Sequence, residues 1–111
     1  MAVHELGIVQ QVVEIVSEAS RGARVTRIVL EIGNLSTVLP DAVRFCFDLA
    51  TAGTVLEGAT LQIIEIPGLA RCRACGIEIP LELPFGTCSC GGTDLEWLAG
   101  GELRVKEMEV A

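Results

Sequence analysis

Cys72 and Cys75 stand two residues apart, and twelve residues later Cys88 and Cys90 follow with Ser89 between them. Two thiolate pairs brought together on adjacent turns form the four-cornered, soft-ligand cage that suits a structural zinc ion. Gly76 and Gly91, each directly after a pair, permit the tight backbone turns that face sulfur and backbone N–H groups toward one metal. Two disulfides, or thiols with no shared role, are the alternatives, and a reducing compartment argues against the bridges. Four sulfur ligands leave no open position for water or substrate, so Zn(II) here is expected to be structural and not catalytic. The fifth cysteine, Cys46, falls on an apolar helix face and is read as packing.

The chain holds one histidine, His4, beside Glu5 at the start of a helix-like pattern. A terminal amine, backbone amides and an imidazole near a chain start can form a planar, nitrogen-rich site that favours Ni(II) or Cu(II). The plainer reading leaves His4 solvated and makes Glu5 a favourable charge at a helix N-terminus. With no second histidine, no Ser/Cys-His pairing and no phosphate-cradling glycine loop, the residues offer no acid–base constellation, and no enzymatic activity is expected.

Amphipathic elements must position these groups. Ile8, Val9, Val12, Val13, Val16 and Ala19 recur at helical spacing, with polar residues on the other face and Gly22 as the stop. Residues 24–32 switch to period two, with Ile28, Leu30 and Ile32 on one side and Arg27, Val29 and Glu31 on the other, which predicts a half-buried strand. Pro40 and Asp41 open a second helix that closes at Gly53. It carries a polar stripe of Asp41, Arg44, Asp48 and Thr51, and Phe45, Cys46, Phe47 and Leu49 are among the apolar residues crowding the rest. Residues 59–66 and 103–110 read as two more strands. The expected fold is α/β (α+β): a small three-stranded sheet with two helices on one face, built from residues 1–68 and 98–111, plus an inserted, zinc-ribbon-like four-cysteine domain at residues 69–97. So short an insert buries little surface, whereas zinc supplies roughly 10–16 kcal/mol of apparent folding free energy, so the ion is expected to be its core.

The net charge of -7, from eight Lys+Arg against fifteen Asp+Glu spread over 111 residues, disfavours nucleic acid, which needs clustered cations. No run approaches the about eighteen uncharged apolar residues of a membrane span, and no secretory pattern opens the chain. A soluble cytoplasmic protein is expected.

The stretches HELGI, VTRIVLEIGNLSTVLPDAVRFCFDLATAGTVLEGATLQIIEIP and GGELRVKEMEV, together with the paired cysteines, resemble the HypA/HybF family of hydrogenase maturation factors over nearly the whole chain. The resemblance implies a nickel metallochaperone that helps insert Ni(II) into the large subunit of [NiFe]-hydrogenase, working with the GTPase HypB. It maps the family's nickel ligands onto His4 and Glu5, and its zinc ligands onto Cys72, Cys75, Cys88 and Cys90. Some members also serve urease maturation and some form dimers, so urease maturation proteins and a second copy are further candidate partners. The family places its histidine directly after the initiator, whereas Ala2 and Val3 precede His4 here. A working chain that begins with methionine at position 3, or one that begins Ala-Val-His after removal of Met1, would each put an amine within chelating reach of the imidazole. Metal competes with protons at that ligand, so nickel retention is expected to weaken as pH falls. The rival reading is a zinc-ribbon interaction module without a nickel role.

Overall fold

The computed structural model describes residues 2–111, which form two helices and six strands. Helix α1 spans Ala2–Ser20 and therefore starts well before the apolar repeat, taking His4 and Glu5 into its first turn. Its buried stripe is Val9, Val12, Val13 and Val16, extended by Glu5 at one end and Ser20 at the other. Glu5 is thus one turn upstream of Val9 on the stripe itself, not on the solvent face expected of a first-turn charge. Arg21 and Gly22, both at positive φ, end the helix.

Strand β1, Val25–Gly33, is the middle strand of a three-stranded sheet. Its neighbours are β2, Thr60–Ile66, on one side and the last strand of the chain, β6, Leu103–Val110, on the other. The expected half-burial holds only at its start. From Ile28 to Gly33 nearly every residue is buried, as a central strand with covered faces requires. Arg27 marks the polar part, where its guanidinium donates to Gln62 at 2.8 Å and to Glu107 and Glu109 at 3.2 and 3.1 Å.

Helix α2, Pro40–Thr51, begins with Pro40 at a position where no N–H is needed, and its N-cap residue Leu39 offers no capping side chain. Val43, Cys46, Phe47 and Thr51 form its buried face. Three assignments from the pattern change here. Thr51, expected on the polar stripe, is buried because its hydroxyl donates to the Phe47 carbonyl at 2.7 Å, while Phe45 and Leu49 face outward. The helical angle, not residue polarity, decides which positions face α1.

Three further strands, β3 (Gly68–Cys72), β4 (Glu78–Leu81) and β5 (Leu95–Ala99), make a second antiparallel sheet in the order β4-β3-β5. By contacts the chain divides into two compact units. One comprises residues 1–30, 38–64 and 104–111, and the other residues 31–37 and 65–103. The second unit takes in residues 31–37, 65–68 and 98–103 besides the expected 69–97 insert. Leu35 from that turn forms an apolar cluster with Ala70 and Leu81, with Ile79 and Leu95 packed against it. The unit therefore has a hydrocarbon core of its own, in contrast to the expectation that an ion alone would serve. Close backbone approach makes room for it: a methyl on Gly33 would run into the Gly100 carbonyl, and one on Gly100 into Gly68 and Leu35. Among the described residues no helix is long and apolar enough to cross a membrane.

Candidate functional site

Strand β3 delivers Cys72 at its end, and the chain then folds back so that Cys72 N–H donates to the Ile77 carbonyl at 2.9 Å and Gly76 N–H to the Cys72 carbonyl at 2.8 Å. Gly76 takes φ 80, which a side chain would resist. The second pair sits on a matching turn: Cys88 N–H donates to the Gly92 carbonyl and Gly91 N–H to the Cys88 carbonyl, both at 2.8 Å, with Gly91 at φ 91. Arg73 N–H to the Asp94 carbonyl at 3.0 Å ties the first turn to the start of β5.

These turns bring the four sulfurs within 4.8 Å of one another, with Cys72 Sγ 3.7 Å from Cys90 Sγ and Cys75 Sγ 3.6 Å from Cys88 Sγ. Four thiolates about 2.3 Å from a tetrahedral zinc ion lie roughly 3.8 Å apart, so the donor set and its dimensions fit that ion without rearrangement of the turns. The C-x-C spacing of the second pair still brings both of its sulfurs into the cluster, and Gly92 N–H donates to Cys90 Sγ at 3.4 Å. Gly92 also lies against the cage, where a Cβ would come 2.9 Å from Cys72 Sγ. Sequence reasoning cited Gly76 and Gly91 but not Gly92, although the doubled glycine after the pair was the available signal.

Cys88 and Cys75 differ in protonation. The Cys90 backbone N–H and the neighbouring thiols, outweighing burial, bring Cys88 down to about 7. Cys75 is favoured as a thiolate by the Ile77 backbone N–H, yet Cys88, burial, Cys90 and Cys72 together push it up to about 12. Cys88 forms a thiolate readily and Cys75 beside it resists ionisation. A dication relieves that repulsion, which is the electrostatic reason such a cluster retains a metal.

The two other predicted site residues meet at the first turn of α1. The His4 side chain is 59% exposed and its Nδ1 lies 3.5 Å from Glu5 Oε2, an ion pair when the imidazole is protonated. The same oxygen accepts the Leu39 N–H at 3.2 Å, so Glu5 ties the start of α1 to the entry of α2. That bond is the main cause that holds the Glu5 carboxyl below its ordinary range. The other oxygen, Oε1, is buried without a hydrogen-bond partner among the described residues, an arrangement that a proton donor or a cation would relieve. Leu39 escaped sequence reasoning because it contributes only a backbone N–H. The terminal amine belongs to Met1, which lies outside the described residues, as do the chelates expected of it. Cys46 is buried on α2, in keeping with a packing role.

An α+β fold in which a four-thiol cage is held on two glycine turns defines a small metal-binding protein. Residues 3–110 match the family model described as HypA, hydrogenase/urease nickel incorporation metallochaperone. The hydrogenase maturation factor HypA of Nostoc punctiforme is 60% identical over 107 residues, covering 96% of this chain and 95% of that protein. That of Geotalea uraniireducens is 49% identical over 108 residues, covering 96% and 98%. The chain belongs to the HypA family, and is thereby a nickel metallochaperone of hydrogenase maturation. Two solved structures share its fold. One, described as the solution structure of HypA protein, has a TM-score of 0.71 at 21% identity, covering 98% of this chain and 97% of that one. The other is the nickel metallochaperone HypA from Helicobacter pylori, with a TM-score of 0.69 at 20% identity and 96% of each chain covered.

Proposed function

We propose that the chain carries Ni(II) at the start of α1, through His4 with Glu5 beside it, and delivers it to the large subunit of [NiFe]-hydrogenase in the cytoplasm with the GTPase HypB as partner. Cys72, Cys75, Cys88 and Cys90 hold a structural Zn(II). The observation that carries this reading is the contrast between the two donor sets: an open imidazole beside a carboxylate with an unpartnered oxygen, and a closed cage of four sulfurs.

A carrier must hold its cargo selectively and still release it. Thiolates bind soft and borderline cations tightly, and four of them leave no vacant position through which a receiver could displace them. An exposed imidazole does the opposite. His4 offers nitrogen, the donor type nickel favours, at a place that water and a receiving protein can reach. Glu5 keeps that first turn in place through the Leu39 N–H, and its second oxygen has no hydrogen-bond partner among the described residues. Protons compete for the same nitrogen, so acidification favours release. Zinc, when bound, would supply a fixed dication that offsets half of the thiolate charge, and the glycine turns set the sulfur positions. Urease maturation proteins and a second copy of the chain are further partners on this reading, and the work is metal transfer, not turnover of a substrate.

The test is a transfer experiment. Zinc-loaded protein charged with one equivalent of nickel is mixed with purified large-subunit precursor, HypB and GTP, and nickel in each protein is measured after separation. Nickel is expected to move to the large subunit, and the His4→Ala variant is expected to move none. Equal transfer by wild type and variant would remove His4 from the account.

A further inference from the structure

The unit that holds the cysteines carries a surface that its metal site does not use. The loop after β4 exposes Leu83 and Phe85, which are 58% and 75% accessible, on either side of Pro84. This loop is fixed: Trp97 on β5 donates its indole N–H to the Pro84 carbonyl at 3.2 Å. Trp97 is itself 44% accessible, and its other edge borders Gly101, where a Cβ would come 3.3 Å from the ring. A cavity of about 330 Å³ opens there, lined by Trp97, Leu98, Ala99, Gly101 and Glu102. Glu102 uses Oε1 to accept the Gly100 N–H at 2.7 Å, and among the described residues no hydrogen bond or ion pair engages Oε2. Trp97 thus joins the exposed Leu83–Phe85 loop, through the Pro84 carbonyl, to the cleft, and the three make up one strip.

Charge says what could cover it. This unit has seven carboxylates against two arginines, and both cations are already engaged, Arg71 with Glu78 at 3.1 Å and Arg73 with Asp94 at 3.3 Å. The surface therefore attracts cations and offers none in return. A glycine-bared indole next to a carboxylate accommodates a guanidinium or ammonium group, through the ring face and the acid together. The Leu83-Phe85 loop accommodates an apolar side chain, and rigid aromatic anchors of this kind dominate binding energy where they are buried by a partner.

We propose that this strip is a docking surface for a partner protein segment that presents an apolar side chain to Leu83 and Phe85 and an arginine or lysine to the Trp97–Glu102 cleft. It shares no residue with the proposed nickel site at His4 and Glu5, and its test reads nickel independently. The probes are purified HypB and purified hydrogenase large-subunit precursor, each titrated calorimetrically against zinc-loaded wild type, Leu83→Ser/Phe85→Ser and Glu102→Gln at low and moderate salt. The double variant is expected to weaken binding of at least one probe tenfold or more. E102Q, which keeps an acceptor for Gly100 N–H, is expected to weaken it about threefold and to flatten its salt dependence. Zinc content and nickel stoichiometry should stay at wild-type values in both. Wild type that binds neither probe, or E102Q and the double variant that bind both probes as wild type does, would overturn the proposal. So would wild-type self-association that the double variant abolishes, since a second copy would then occupy the strip. If the double variant loses zinc, E102Q and Phe85→Ser carry the same test.

Discussion

Replacing Leu35 by alanine should loosen the zinc cage, although Leu35 is far from any cysteine of the cage in sequence. The residue is 2% exposed and shares its cluster with Ala70 and Leu81. Its methyl groups lie where even a Cβ on Gly68 or Gly100 would collide, so the space is tightly filled by backbone that has little freedom to collapse into a void. Buried Leu→Ala changes cost about 2–5 kcal/mol, and poor collapse favours the upper part of that span. The Leu35 N–H bond to the Gly100 carbonyl survives the change, so the loss is one of packing. If the unit loosens when its metal leaves, a penalty of about 3 kcal/mol on the metal-bound state raises the zinc dissociation constant on the order of 100-fold. Competition with a colorimetric chelator measures it directly, with Phe85→Ala as an exposed control expected to stay within threefold. A Leu35→Ala constant within threefold of wild type would refute the coupling between the apolar cluster and the cage.

Three other outcomes follow from the same geometry. Cys72→Ser or Cys88→Ser should release zinc and loosen residues 65–103 in hydrogen exchange while α1 and α2 stay protected, and retention of one zinc equivalent in the double variant would refute the four-sulfur cage. Because the Leu39 N–H lowers the Glu5 carboxyl in the folded chain, its contribution to stability is complete above the ordinary 4.5 and is lost as pH falls below that toward the folded value. Wild type should therefore lose stability relative to Glu5→Gln on acidification through that window, and parallel pH curves for the two would contradict it. Gly92→Ala should weaken zinc binding, since a Cβ would press on Cys72 Sγ, and unchanged chelator competition would show that the turn yields freely.

Local periodicity carried much of the fold. Val9, Val12, Val13 and Val16 mark α1, the alternation across Ile28–Ile32 marks β1, and the first sheet has the three strands that the pattern predicts. The cysteine spacing marked the four-sulfur cluster because such short offsets place two thiols on one tight turn. What escaped is what depends on distant partners. Strands β3, β4 and β5 are four or five residues long, too short for a period to emerge among prolines, glycines and cysteines. Leu35 belongs to the second unit only because β1 ends where it does. Glu5 lay in view on the stripe four residues before Val9, but charge is ordinarily a signal of exposure, and the Leu39 N–H that makes its burial tolerable leaves no trace in a side-chain pattern.

The central claim is that one chain holds two metals in chemically distinct places. Calorimetric titration of Ni(II) into zinc-loaded wild type and His4→Ala, with zinc measured before and after, tests it most directly. The account predicts a nickel site in wild type, its loss in the variant, and one equivalent of zinc in both throughout. Unchanged nickel stoichiometry in the variant, or zinc displaced mole for mole as nickel binds, would contradict it.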